Sequence, residues 1–187
     1  GKDDDPWQVI PTEWVEQAME RWKPLHSVPV MDSVGVDVAR GGEDHTVISR
    51  RHGTWFDELI EYPGSQTPNG PVTAGMVVAA IRDRSPVHVD VIGWGASVYD
   101  FLVENGIQTI AVNGAEGSHA TDASGRLKMC NVRAQLYWGM RELLDPANNM
   151  GIALPPDRVL KIDLCAPRWK LTASGILVEK KEEIKKR

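Results

Sequence analysis

Cysteine is nearly absent: Cys130 and Cys165 are the only two in 187 residues. They are too few for a disulfide framework and lack CxxC spacing, so free thiols in a reducing setting are expected. No apolar run reaches the roughly 18 residues of a membrane-crossing helix. The opening GKDDDPWQ has no apolar stretch of the signal-peptide kind, and a start at Gly1 without Met reads as a processed or excised fragment. There is no GK[ST] sequence and hence no Walker-type phosphate loop, and no GxSxG nucleophile elbow. The five histidines show no HxxxH ligand spacing, and His45 and His88, which flank the acidic strands, read as surface or hydrogen-bonded side chains. Gly93-Trp94-Gly95 does not extend to GxGxxG, because the third position is Val98. Basic excess is lacking too: the formal net charge is −5, which argues against a protein that coats nucleic acid by bulk charge. Metal-binding carboxylates add negative charge where hydrolytic chemistry happens, so a nuclease remains compatible.

What is present is globular: 42% hydrophobic and 25% charged residues, with length for one domain and a short appendage. A chain of this size buries about 70% of its unfolded surface, enough for a core without disulfides. Residues 1–30 read as a linker and lead-in helix, capped by Thr12 and carrying Trp14, Val15, Ala18, Met19 and Trp22 on one stripe. Residues 31–187 read as one domain. Val34, Val36 and Val38 alternate with Gly35, Asp37 and Ala39, a strand pattern. Two further strands follow across short turns, HTVISRR and TWFDELIEY. A loop at 63–71 precedes a helix over 72–84 with Val72, Met76, Val77, Ala80 and Ile81 on one face. Val87–Ile92 is a fourth strand, followed by a helix near 97–105 and a fifth strand, IQTIAV. Residues 113–126 are small and polar, which predicts a mobile loop. A helix near 128–145 with Val132, Leu136, Met140 and Leu143 inward comes next, then a short helix within 155–166, short strands at 168–172 and 176–178, and a helical tail. Three hairpin-connected strands followed by alternating helices and strands predict an α/β fold. It is a mixed sheet, three antiparallel strands then parallel ones, with helices on both faces, the outline of a ribonuclease H-like fold.

Asp37 and Asp90 carry the chemical signal. Aspartate is depleted within strands, because a buried charge is costly there. Each is expected mid-strand, with valines on the opposite side by strand alternation. If the two strands are parallel neighbours, both carboxylates leave one face a few ångströms apart. Like charges that close share a proton, a cation or a strong donor, and a hard divalent ion, Mg²⁺ or Mn²⁺, suits an oxygen set best. Two such ions about 3.5–4 Å apart serve phosphodiester hydrolysis. The structural alternative is a turn cap or a pair with arginine. Glu43 and Asp44, in the turn after the first acidic strand, are either added metal ligands or turn chemistry beside Gly41-Gly42. The basic groups, Arg50 and Arg51 with His52, then Arg126 and Lys128 with Arg133, then Lys185 and Lys186 in the tail, are either solvated faces or DNA contacts.

Four segments together resemble the C-terminal nuclease domain of the large terminase subunit of tailed bacteriophages. They are IPTEWVEQAMERW, VGVDVARGGEDHTVI, VDVIGWGASVYDFL and APRWKLTASGILVEKKEEIKKR, spanning residues 10–187. The resemblance implies a ribonuclease H-like fold and a two-metal endonuclease using Mg²⁺ or Mn²⁺. It implies double-stranded concatemeric viral DNA as substrate, the terminase small subunit and the portal protein as partners, no membrane, and the host cytoplasm as location. Asp37 matches the family's first-strand acid and Asp90 its second, while Asp44 lies where some members carry an auxiliary acid. The family's third acid follows a segment like KEEIKKR, so it is expected beyond Arg187, with the C-terminal end truncated. Glu179, Glu182 and Glu183 do not match that position. Two other readings stand beside this one. An actin-like or sugar-kinase-type ATP-binding domain opens on a strand like GVDVARGGEDHT but needs a second lobe. A non-catalytic module that grips DNA or the portal needs no complete metal site.

Overall fold

The computed structural model describes residues 3–187, so Gly1 and Lys2, the start of the expected lead-in, lie outside the described residues. The chain divides into two compact units, Pro24–Asn113 and a second made of Gly114–Arg187 with the residues through Lys23.

The first unit is built on β1 (Ser33–Asp37), β2 (His45–His52), β3 (Trp55–Phe56), β4 (Ile60–Pro63), β5 (Val87–Asp90) and β6 (Thr109–Val112). Its helices are α2 (Gly70–Ala80) and α3 (Gly95–Glu104), numbered after α1 (Thr12–Arg21) of the other unit. The sheet order is β3-β2-β1-β5-β6, with β4 also on β2. β1 and β2 are antiparallel, whereas β1 with β5 and β5 with β6 are parallel. This is the mixed sheet that the sequence predicts. Val34, Val36, Val87 and Val89 are buried on one face against Ala74, Val77 and Ala80 of α2 and Val98 and Leu102 of α3.

Three local expectations change. The single strand expected over TWFDELIEY is two, because the chain kinks at Asp57-Glu58. The Asp57 carboxylate pairs with Arg50 at 3.1 Å and accepts the Glu58 N–H at 2.7 Å, so these residues leave the ladder. α2 begins at Gly70 because the Asn69 side chain caps it, accepting the Val72 N–H at 3.0 Å. Its buried face is then Thr73, Ala74, Val77 and Ala80, and Val72 is exposed.

In the second unit α1 packs against α5 (Arg158–Cys165) and α4 (Val132–Leu144). The N-cap of α1 is Pro11, and the Thr12 hydroxyl donates to Asp4 Oδ1 at 2.7 Å instead of capping. The stripe through Val15 and Ala18 is buried as expected. The α4 face differs: Ala134, Trp138 and Leu144 are buried and Leu136 is exposed. The cause is aromatic packing, since Trp138 meets Trp169 edge to face at 5.0 Å and Trp169 meets Trp7 at 5.1 Å. Arg141 lies between the rings of Trp14 and Trp138 and donates to the Val9 carbonyl at 2.6 Å. Burial draws its pKa below the usual arginine range.

β7 (Trp169–Thr172) and β8 (Gly175–Val178) form a hairpin, and α6 (Lys181–Lys185) follows. Residues 128–130 run beside β8, with Ile176 N–H on the Lys128 carbonyl at 2.7 Å. The loop expected to be mobile is cross-braced. The Asp122 carboxylate accepts the N–H groups of Leu127 and Arg126 and the Ser124 hydroxyl, which holds its pKa below the ordinary carboxylate value.

The Glu179 carboxylate is held by Arg187, at 2.7 and 3.0 Å, and accepts the Arg168 N–H at 2.7 Å. The Arg187 guanidinium, ahead of the backbone donor, lowers the Glu179 pKa from its ordinary 4.5. A carboxylate depressed on folding contributes stability above its unfolded pKa and loses it as pH falls through the folded one. Thermal melts at pH 7, 5 and 3 should therefore show Glu179→Gln melting below wild type at pH 7, with the gap closing below about pH 4.5. A gap that is constant across the series would contradict the ion pair's role.

Candidate active site

Asp37 and Asp90 end β1 and β5 instead of lying mid-strand. Ending there keeps both carboxylates at the solvated rim, which avoids the cost of burying charge. The parallel register sets Val34 beside Val87, Gly35 beside His88 and Val36 beside Val89. Carried one residue further, it sets Asp37 beside Asp90 on strands about 4.8 Å apart. Both side chains leave the face opposite the buried valines, and both residues are exposed. The structure thus brings the two expected acids to one edge of one face.

The chain after each acid is built to turn. Asp90 Oδ1 accepts the Ile92 N–H at 2.9 Å, an Asx turn that lifts the chain off β5. Gly93 supplies φ 77°, a left-handed step that glycine takes freely. Gly95 then opens α3 so close to β5 that a Cβ would overlap the Asp90 carbonyl oxygen. α3 has no side-chain cap and no acid in its first turn. Its N-terminal partial positive charge therefore lies at the end of β5, next to Asp90.

After Asp37 the chain is clamped by two buried threonines. The Thr46 hydroxyl accepts the Ala39 N–H at 3.0 Å, and the Thr67 hydroxyl donates to the Ala39 carbonyl at 2.6 Å. Gly64 lies against Gly41, where a Cβ would overlap the Gly41 carbonyl; Gly41 N–H donates to Gly64 O and Gly64 N–H to Asp44 O. Glu43 and Asp44 are exposed on this loop. Among the described residues, no three of His, Cys, Asp and Glu come together as a metal cage. The structure therefore assembles a pair of acids, and Asp44 and Glu43 stand on the loop beside β1 without completing a triad.

The basic candidates are dispersed. Arg50 is engaged with Asp57 and the Glu58 carbonyl, and Arg51 donates to the Gly53 carbonyl and stacks on Phe56. His52 is buried, its Nδ1 2.7 Å from the Pro29 carbonyl. Arg126 and Lys128, and separately Lys185 and Lys186, are exposed in the other unit. His45 sits 3.6 Å from Glu61. Thr46, Thr67 and Gly64 were not readable as site residues, because each acts through a partner distant in sequence or through the lack of a side chain, whereas Gly93 and Gly95 are read from the sequence as a tight turn that admits a close backbone approach.

Gly95→Ala should lower the stability measured by urea unfolding by about 1–3 kcal/mol, the usual cost of forcing atoms into a packed site. An unchanged midpoint would show that α3 moves away from Asp90 freely.

No family model and no curated protein matches the chain by sequence. Solved structures do match it. The nuclease domain of the large terminase subunit gp2 of bacterial virus Sf6 superposes with a TM-score of 0.73 at 20% identity, covering 96% of this chain and 91% of that one. A K428A mutant of that domain, solved with manganese, gives 0.70 at 19% identity over 96% and 91%. The large terminase nuclease from thermophilic phage G20c with bound cobalt gives 0.58 at 16% identity over 96% and 93%, and the same nuclease with bound magnesium gives 0.52 at 19% over 84% and 74%. At these identities the likeness establishes architecture: the chain has the ribonuclease H-like fold of large terminase nuclease domains.

Proposed function

We propose that this chain is a metal-dependent endonuclease domain of a phage DNA-packaging terminase, cutting concatemeric double-stranded viral DNA in the host cytoplasm. The observation that carries the proposal is the parallel register of β1 and β5, paired through Val36 and Val89, whose continuation sets Asp37 beside Asp90 on the exposed face of a terminase-nuclease fold. The manganese, magnesium and cobalt found with the structural neighbours support Mg²⁺ or Mn²⁺ as the cofactor. The residues fit such an ion: both are exposed carboxylates at the ends of neighbouring strands, and both offer hard oxygen donors.

Asp37 and Asp90 would hold the metal, with Asp44 and Glu43 on the adjoining loop as candidates for a further donor. When bound, a divalent ion supplies a water of lowered pKa and offsets the charge of the phosphodiester. The protein's own work is positional. The Ile92 N–H fixes one oxygen of Asp90, and the Thr46–Thr67 clamp fixes the chain leaving Asp37. The two-ion form of the reaction belongs to this proposal. So do the terminase small subunit and the portal protein as partners, and DNA contacts by Arg126, Lys128, Lys185 and Lys186. Arg50 and Arg51 are weaker candidates, since both already serve internal partners.

Asp37→Asn or Asp90→Asn should reduce Mn²⁺-dependent nicking of supercoiled plasmid at least about 100-fold, beyond the range usual for residues that only support ligands. In EDTA the same variants should melt at or above wild type, because a repulsion is removed. A variant that melts lower and still cuts would sink the shared-metal reading.

A further inference from the structure

The two loops that leave the acidic strands meet in a stack. Arg40, three residues after Asp37, places its guanidinium 4.9 Å from the ring centre of Trp94, four residues after Asp90. Both are exposed, and Trp94 retains 52% of its surface. The other stacked arginines are also tied to protein acceptors: Arg51 donates to the Gly53 carbonyl, Arg133 to Glu179 and Arg141 to Val9. Among the described residues the Arg40 side chain has no hydrogen bond or ion pair, although Glu43 and Asp44 follow closely in the same loop. Its face is thus occupied by the indole while its N–H edge stays open.

That combination has a chemical preference. A guanidinium presents a rigid fork of donors that matches a phosphate bidentately, which an ammonium does not. Pinning the fork against an aromatic face removes rotamer freedom before any ligand arrives, so less entropy is lost on binding. The backbone beneath is fixed as well, because Ala39 is held by Thr46 and Thr67 and Gly41 by Gly64. An exposed indole beside it offers an apolar surface to a sugar or base edge.

We propose that Arg40, held by Trp94, binds a backbone phosphate of the DNA strand next to the Asp37–Asp90 pair and positions that strand for cutting. The inference rests on the nuclease reading above and assigns it a substrate-positioning residue. It concerns a phosphate of the nucleic-acid backbone, so no base preference follows.

The test is binding of a fluorescently labelled duplex to the whole chain, with Ca²⁺ in place of Mn²⁺, followed by anisotropy over a salt series. Arg40→Ala should weaken binding roughly tenfold and reduce the slope of log Kobs against log salt by about 0.9, the loss of one phosphate contact. Arg40→Lys should keep the slope but not regain the affinity, because a lysine neither forks nor stacks in the same way. Trp94→Leu should weaken binding with the slope intact, since the charge is retained. Far-UV spectra and melting temperatures should match wild type for all three, as both side chains are exposed. Wild-type affinity and slope in Arg40→Ala, or full affinity in Arg40→Lys, would overturn the inference while leaving the acid pair untouched. A wild-type chain that neither binds the duplex nor cuts with Mn²⁺ would remove the nuclease reading and this inference with it.

Discussion

Two carboxylates at neighbouring register positions repel, and the packing behind them is what keeps them together. Two like unit charges about 4 Å apart repel by about 1 kcal/mol in water and about 4 kcal/mol near a protein surface. On the opposite face Val34, Val36, Val87 and Val89 are buried against α2 and α3. Each such side chain contributes about 1.5–3 kcal/mol on burial, so the four together exceed the repulsion. The sheet can therefore present like charges side by side because the same strands, one residue out of phase, are held by apolar contact. Alternation along two short strands does both jobs at once.

The loops that follow the acids add direction to this placement. An Asx turn and an uncapped helix start act on Asp90, whereas a pair of buried hydroxyls acts on the segment after Asp37. These devices differ, yet both fix backbone within a few residues of a carboxylate. A site held by its backbone does not rely on long flexible side chains for precision.

Much of this was legible in the order of residues. The Val/Asp alternation placed both acids on the face opposite the valines, and the succession of strands and helices gave the mixed sheet. Mid-strand placement of the acids was a misreading, because periodicity does not say where the ladder ends and the Asx turn at Asp90 begins. The break at Asp57-Glu58 depends on Arg50, a partner on another strand. The inward faces of α2 and α4 followed from packing: the Asn69 cap fixed where α2 starts, and Trp169 drew Trp138 inward. The Thr46–Thr67 clamp and the Arg40–Trp94 stack join residues 21 and 54 positions apart, by subtraction of their numbers, and no local pattern announces contacts of that kind.

The second unit gathers the residues through Lys23 and those from Gly114 onward. Val9, Ile10, Val15 and Ala18 are fully buried there, and Val9 is bonded to Pro167 while Ala18 is bonded to Leu154. On the ribosome, the strands of the first unit are all made by Val112, whereas these early residues still lack their partners. At about 5–20 residues per second, the leading helix waits several seconds with its apolar stripe uncovered. Vectorial synthesis therefore favours the acid-bearing sheet as the earlier unit to close and leaves the apolar stripe of Val9, Ile10, Val15 and Ala18 uncovered until its later partners emerge.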